Sequence, residues 1–249
     1  MKPILPRCAG TRLYCELPLS PGAEIALPEA AARHAVTVLR LQVDDTLNLF
    51  NGSGGEYSAR LVAVSKRETR VRLIEFLATE RESPVAITLA LGISAGERMD
   101  YSLQKATELG VAAIQPLATE RSLVKLAGER ADKRLAHWQH VVIAACEQCG
   151  RNRVPTVAPV QKFYPYLATV DRNQRLLMLS PDAATPLKKV QQSAQAVLLI
   201  GAEGGFAPAE YAAAQASGFE PVNLGPRVLR TETAPVAALA VLQALWGDL

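Results

Sequence analysis

The sequence predicts an α/β protein in which a small β-rich domain precedes a larger domain built on a mostly parallel sheet. Residues 11–77 have the pattern of short strands joined by glycine-rich or charged turns, whereas from residue 85 onward apolar strands alternate with helices. That alternation is typical of a parallel sheet covered by helices on both faces. The polar segment 79–84 separates the two patterns, so we expect domains at 1–78 and 79–249.

The N-terminal part has the content of a small β-barrel. Strands are predicted at 46–50, 56–64 and 69–77, and the glycine-rich turn 51–55 joins the first two. Residues 28–39 are predicted to form a short helix, because Pro28 is suited to a first helical turn.

The C-terminal part alternates regularly between the two kinds of element. Strands are predicted at 85–91, 113–117, 176–179, 197–200 and 221–224, and helices at 98–109, 129–150, 208–217 and 234–246. Thr233 is a candidate N-cap for the last helix. That helix is apolar almost all round, which predicts burial on every side, either inside one subunit or against a second.

Charge is distributed unevenly, although the formal net charge is only +3. Residues 121–153 hold seven Lys and Arg against three Asp and Glu. This excess indicates either attraction to nucleic-acid phosphates or a solvated helix face.

Cys146 and Cys149 form a CxxC motif, which raises the question of a metal or redox site. Both fall on one apolar helical stripe with Trp138 and Val142, so we expect buried structural thiols and no metal. The chain has neither an apolar run of the ~18 residues that a membrane span needs nor a secretory start, so we expect a cytoplasmic protein.

Three strand-to-loop segments, 176–181, 197–206 and 222–233, predict a binding site. Ligands of open parallel sheets bind beyond the carboxyl ends of the strands. Gly201, Gly204 and Gly205 allow close backbone approach, and a helix starting at Pro208 offers N–H groups to an anion or carboxylate. The segment matches neither GxGxxG nor a phosphate-binding loop, which disfavours an unrelated nucleotide enzyme.

Charged residues in these loops leave alternatives open. Glu203 could face a ligand hydroxyl, a cation or water, and Arg230 could act in a site or form a surface ion pair.

Six motifs follow one another along the chain. They are RHAVTVLRL at 33–41, KATELGV at 105–111, TERS at 119–122, Glu147-Gln148 with Arg151 and Pro155, LLIGAEGGF at 198–206 and LGPRVLRTETA at 224–234. In this order they resemble the motifs of the bacterial methyltransferases that modify N3 of a uridine in small-subunit ribosomal RNA. These enzymes belong to the knotted SPOUT superfamily.

The resemblance implies a PUA-like β-barrel followed by an α/β domain with a deep C-terminal trefoil knot. It implies S-adenosylmethionine as cofactor, 16S ribosomal RNA of the small subunit as substrate, and a homodimer paired through the knot region and the C-terminal helix. The implied cofactor-binding residues are Leu179, Ile200, Gly201, Glu203, Gly204, Gly205, Leu224, Gly225, Val228, Leu229, Arg230 and Thr231.

The chemistry of uracil N3 suggests the catalytic candidates, Arg230 and Glu232. N3 carries a proton, and when the proton leaves, negative charge spreads to the flanking carbonyl oxygens. Arg230 could stabilise that charge, and Glu232 or Glu203 could accept the proton.

RNA contact is expected from the N-terminal domain and from the basic middle segment. The candidate residues are Arg7, Arg12, Arg33, Arg40, Lys105, Gln148, Arg151 and Arg153. Two alternatives stay open: a knotted methyltransferase acting on another RNA position, and a non-catalytic RNA-binding factor.

Overall fold

The computed structural model describes residues 10–65, 67–122, 124, 126 and 128–249. They divide into two compact units. The N-terminal unit comprises the described residues up to Glu82 together with Cys146–Val154, and the C-terminal unit comprises Ser83–Ala145 and Pro155–Leu249. The sequence does not indicate that Cys146–Val154 joins the first unit.

The N-terminal unit is built on a five-stranded sheet in the order β1-β3-β4-β5-β2. Its elements are β1 (Arg12–Tyr14), β2 (Glu24–Ala26), α1 (Glu29–Arg33), β3 (Thr46–Phe50), β4 (Glu56–Val64) and β5 (Thr69–Leu77). The strands predicted at 46–50, 56–64 and 69–77 are confirmed. β1 pairs with β3 in parallel, and the other neighbours are antiparallel.

Alternating side chains of these strands form the core of the unit. Leu47 and Leu49 of β3, Ala59 and Leu61 of β4, and Val71 of β5 are buried together. Because strand side chains alternate between faces, every second residue points away from this core.

The helix predicted at 28–39 is only partly α-helical. After α1 the chain forms a π-helical turn, His34–Val38, in which the N–H of Leu39 donates to the carbonyl of His34 (3.0 Å). The β-branched run of Val36, Thr37 and Val38 disfavours a regular α-helix.

Ion pairs hold the segment Cys146–Val154 within the N-terminal unit. The buried guanidinium of Arg12 pairs with Glu56 and donates to Asn152 Oδ1 (2.7 Å). Arg151, also buried, donates to the Glu82 carboxylate (3.1 Å). Removing one partner of such a pair leaves an uncompensated buried charge, so this network resists disruption.

The C-terminal unit contains an eight-stranded sheet whose main order is β11-β13-β10-β12-β6-β7-β8, with β9 beside β7. Its strands are β6 (Ala86–Gly92), β7 (Ala113–Ala118), β8 (Thr156–Val157), β9 (Gln161–Lys162), β10 (Arg175–Leu179), β11 (Thr185–Pro186), β12 (Gln195–Ile200) and β13 (Glu220–Asn223). Every pair in it is parallel, which confirms the predicted parallel sheet.

The helices of this part of the chain are α2 (Glu97–Glu108), α3 (Glu129–Cys149), α4 (Phe163–Thr169), α5 (Pro208–Ala216) and α6 (Thr233–Trp246), and a 3₁₀ turn spans Leu187–Lys189. The last residues of α3 are counted with the N-terminal unit. Among the described residues, no helix combines the length and apolar character needed to cross a bilayer.

Helix α6 corrects one expectation and bears on another. Its N-cap is Glu232 rather than Thr233, which is the first helical residue. Leu245 is 47% exposed, so the helix is not buried on every side within one subunit, and burial against a second subunit stays a prediction. The buried face carries a polar anchor, Gln243, which donates to the Leu109 carbonyl (2.8 Å) and accepts from the Ser83 hydroxyl (2.7 Å).

Candidate functional site

A cavity of about 700 Å³ opens in the C-terminal unit, where the loops after β10, β12 and β13 meet. These three strands are adjacent and parallel, so their carboxyl ends lie at one edge of the sheet. Eleven of the twelve residues predicted to bind a cofactor line this cavity; that they hold a ligand stays a prediction. They are Leu179, Ile200, Gly201, Glu203, Gly204, Gly205, Leu224, Gly225, Val228, Leu229 and Thr231.

Arg230 is the exception. It is exposed and is not among the residues lining the cavity, although its two neighbours are. Its backbone carbonyl accepts from the N–H of Ala234 (2.9 Å), which starts the first turn of α6. The structure therefore places the Arg230 side chain outside the cavity wall rather than within it.

Close backbone packing explains why glycines form the loop after β12. A Cβ added to Gly92, at the end of β6, would lie 2.4 Å from the backbone nitrogen of Ala202. A Cβ on Gly201 would lie 2.9 Å from the carbonyl carbon of Gly205, whose own φ of +65° favours glycine. The loop is thus folded tightly on itself and against the adjacent strand.

Glu203 is anchored at the cavity by its own chain. Its Oε1 accepts from the N–H of Ala95 (2.9 Å) and from Arg98 Nη1 (3.3 Å). Burial raises the pKa of this carboxyl, but hydrogen bonds from Ala95, from its own N–H and from Arg98 outweigh burial and hold the pKa below its usual value. The second oxygen, Oε2, is buried and has no hydrogen-bond partner among the described residues, so it can accept from a ligand.

Arg98 connects two of the cavity loops, and the sequence did not single it out. Besides its contact with Glu203, its Nε lies 3.9 Å from Glu232 Oε2. Nearby, the hydroxyls of Ser94 and Thr231 are 3.2 Å apart. The position of residues 94–98 directly after a central strand could have indicated Arg98 as a site residue, because β6 ends at the same sheet edge as β12.

Two further cations and one acid at the cavity were also missed. Arg121 lines it and donates to the carbonyl of Gly204 (2.8 Å). Arg227 and Asp182 contribute to the wall as well. These charges give the cavity polar groups for a ligand that carries both signs of charge.

At the N-terminus of α5, where the N–H groups are predicted to hold an anion or carboxylate, one N–H group already has a carboxylate partner from the same chain. The buried Glu210 carboxylate accepts from the N–H of Ala207 (3.0 Å) and from the N–H of Glu120 (2.8 Å). A carboxylate of the same chain thus occupies this position, as in a capping box.

The predicted RNA-contact residues fall into different environments. Arg33, Arg40, Gln148 and Arg153 are exposed in the N-terminal unit.

Three others are engaged by their own chain, and one cannot be placed. Arg12 and Arg151 are buried in ion pairs, which corrects their assignment to phosphate contact, since such side chains cannot reach a phosphate without leaving their partners. Lys105 is half-buried and donates to Glu108 (2.8 Å). Arg7 lies outside the described residues.

The CxxC cysteines lie at the end of α3. Cys146 is fully buried, and burial raises the pKa of its thiol to about 12, while Cys149 is half-buried. Among the described residues, no three His, Cys, Asp or Glu side chains are grouped as a metal site would require.

Comparison with known proteins now defines the class. Residues 81–243 match the family described as an RNA methyltransferase domain, and residues 27–74 match the RNA methyltransferase PUA domain. The molecule is thus a mixed α/β protein of the SPOUT methyltransferase type with a PUA-like domain.

Similarity to individual relatives identifies the family within this class. The ribosomal RNA small subunit methyltransferase E of Buchnera aphidicola is 33% identical over 239 residues, which cover 96% of this chain and 97% of the relative. The chain therefore belongs to the ribosomal RNA small subunit methyltransferase E family.

Two solved structures agree with that assignment. One, from Legionella pneumophila with bound S-adenosylmethionine, has a TM-score of 0.93 and 41% identity, covering 96% of this chain and 99% of that chain. The other is ribosomal RNA small subunit methyltransferase E from Neisseria gonorrhoeae bound to S-adenosylmethionine. It has a TM-score of 0.90 and 42% identity, with the same coverage.

Proposed function

We propose that this protein transfers the methyl group of S-adenosylmethionine to N3 of a uridine in 16S ribosomal RNA, acting on the small ribosomal subunit in the cytoplasm. The observation that carries the proposal is the glycine-built cavity at the ends of β10, β12 and β13, in a chain of this family.

The cavity fits the cofactor. Its volume of about 700 Å³ lies within the usual range for small-molecule sites. Leu179, Ile200 and Leu229 supply apolar walls for a purine ring, and the unpartnered Oε2 of Glu203 can accept from a ribose hydroxyl. Bound there, S-adenosylmethionine supplies a methyl group on a positively charged sulfur, which leaves as a neutral thioether.

The remaining demand falls on the uracil, whose N3 must lose its proton. We assign proton acceptance to Glu232 rather than Glu203, because three hydrogen bonds already lower the pKa of Glu203 and make it a weaker base. Arg230, at the base of the same loop, is the cation suited to the charge that develops on the uracil carbonyl oxygens. Its role is to stabilise charge, because a guanidinium presents planar, forked N–H donors that match a carbonyl edge.

RNA binding is assigned to the exposed Arg33, Arg40, Gln148 and Arg153 of the N-terminal unit. Aromatic residues make up only 5% of the chain, so stacking contributes little and phosphate contacts dominate. We expect an assembled or folded small subunit to be a far better substrate than an isolated stem-loop.

Three structural features follow from this assignment as proposals. The N-terminal sheet is the PUA-like barrel, and the loops after β10, β12 and β13 are threaded as the trefoil knot. A second copy covers the apolar stripe of α6 that includes Ala237, Val241 and the exposed Leu245. Sedimentation of the wild type and of Leu245→Glu tests the dimer, because a buried charge would favour monomers.

Arg230→Ala tests the catalytic assignment. We expect the variant to fold and to bind S-adenosylmethionine as the wild type does, but to lose most methyl transfer to small subunits. Arg172→Ala, another exposed arginine of the same unit, is the matched control. Wild-type turnover by Arg230→Ala would contradict the assignment.

The substrate atom is tested by mapping modified bases on ribosomal RNA from cells with and without the gene. A methyl group on N3 blocks Watson–Crick pairing and stops reverse transcription, so one gene-dependent stop at a uridine of 16S RNA is expected. A gene-dependent modification elsewhere would replace the proposed substrate.

A further inference from the structure

We propose that Val38 and Leu39 form an apolar wedge that enters the substrate RNA between stacked bases, while Arg33 and Arg40 grip the flanking phosphates. The proposal rests on the function proposed above and adds the device that opens the RNA. We call residues 33–40 the wedge segment.

The first observation is exposure of apolar side chains at the tip of this segment. Val38 is 64% exposed and Leu39 is 39% exposed, and Val43 just beyond them is exposed as well. Val38 and Leu39 are adjacent in the chain and both exposed, and neighbouring exposed apolar side chains are typical of an interaction surface rather than of a folding requirement.

The second observation is the unusual backbone that presents these side chains. Val38 ends the π-helical turn, a geometry that is rare and concentrated at functional sites. Arg40 follows with φ = +57°, a left-handed conformation that is unfavourable for a side chain of this kind. Strain of this sort persists only where the surroundings hold it.

Contacts within the N-terminal unit hold the backbone of the wedge segment in this conformation. Ala35 is fully buried in the core of the N-terminal unit, and its carbonyl accepts from the N–H of Leu41 (3.0 Å). His34 Nδ1 lies 3.5 Å from Glu147 Oε2. The base of the wedge segment is therefore fixed while its tip projects.

The charge of the wedge segment indicates which class of partner it binds. Arg33 and Arg40 are both exposed, and neither forms an ion pair within the described part of the chain. The next acids are already engaged, Asp44 near Arg60 (3.9 Å) and Asp45 with the N–H of Gln42 (2.7 Å). Apolar side chains flanked in sequence by two exposed arginines, neither of them in an ion pair with a described residue, match a polyanion with an apolar interior, which describes stacked nucleic acid.

The proposed reaction requires the target base to be exposed, and the wedge would supply that step. N3 of a paired uridine is inaccessible, so the base must leave the helix before methyl transfer. Apolar side chains inserted between bases unstack them, and phosphate contacts offset the cost.

The test compares Val38→Ser/Leu39→Ser with Ile74→Ser. Ile74 is a matched control because it is 50% exposed in β5 of the same unit. Small subunits serve as substrate, calorimetry measures S-adenosylmethionine binding, and 2-aminopurine beside the target uridine reports unstacking by a rise in fluorescence.

We expect the double variant to bind S-adenosylmethionine normally, to lose about tenfold or more in kcat/KM, the scale for losing burial of a branched side chain, and to lose the fluorescence rise. Ile74→Ser should match the wild type. Val38→Thr keeps the side-chain shape and should show a smaller loss of kcat/KM. This variant tests the wedge if the double variant does not fold.

Three results would overturn the wedge: wild-type kcat/KM in the double variant, an equal loss in Ile74→Ser, or loss of self-association in sedimentation, which would make the tip a protein interface. Failure of the proposed function is distinguishable, because the wild type itself would then not methylate small subunits. The fluorescence comparison would still decide whether the tip opens RNA.

Discussion

Gly92→Ala tests whether close packing of the strand β6 against the glycine loop shapes the cavity. Gly92 has no left-handed backbone conformation, so the substitution acts only through the added methyl carbon. That carbon would lie 2.4 Å from Ala202 N, whereas ordinary contacts begin at 3.4 Å. Because Gly92 pairs with Leu117 inside the sheet, the loop must yield, by about 1 Å.

A displacement of this size predicts two measurable losses. Overpacking of a well-packed site costs about 1–3 kcal/mol of unfolding free energy, measured by urea denaturation. A misplacement of about 1 Å costs about 100-fold in turnover, measured by methyl transfer to small subunits, and S-adenosylmethionine binding should weaken in calorimetry.

Gly10→Ala is the control, because no atom of the described residues lies within 4 Å of an added Cβ there and its φ is not left-handed. Stability, cofactor affinity and turnover of Gly92→Ala all within twofold of the control would refute the idea that this contact shapes the site.

Three further predictions concern other parts of the molecule. Arg98→Ala removes a donor that lowers the pKa of Glu203, so this carboxylate should protonate at a higher pH than in the wild type, and cofactor affinity should fall at that higher pH. Calorimetry across acidic pH checks this, and an unchanged pH profile of cofactor affinity would refute it. Gln243→Leu leaves the Leu109 carbonyl and the Ser83 hydroxyl without their partner and should destabilise the fold by about 1–3 kcal/mol, a result that a wild-type urea midpoint would contradict. Cys146, with a thiol pKa of about 12, should resist iodoacetamide at pH 8 in the native protein while the half-buried Cys149 reacts first; peptide mapping that found Cys146 modified first would disprove its burial.

Local patterns in the chain were sufficient for the elements whose hydrogen bonds and side-chain periodicity are themselves local. The bounds of β3, β4 and β5 follow from alternation and from the glycine turn between the first two. β1 and β2 have three residues each, too few for a period to be recognised. The resemblance of GAEGGF and of the segment around Arg230 to a known family identified the loops that line the cavity, because those motifs are contiguous.

Tertiary structure alone decided which distant residues meet. Arg98 reaches Glu203 across 105 positions of sequence, and Arg12 reaches Asn152 across 140, distances over which no local period carries information. Burial also depends on the tertiary structure. Arg12 and Arg151 are buried, whereas Arg33 and Arg40 are exposed, although all four side chains carry the same charge. The chain by itself therefore determined the kinds of element and the family, whereas packing determined which charges neutralise one another and which remain available to a ligand, because desolvation depends on neighbours that only the folded chain brings together.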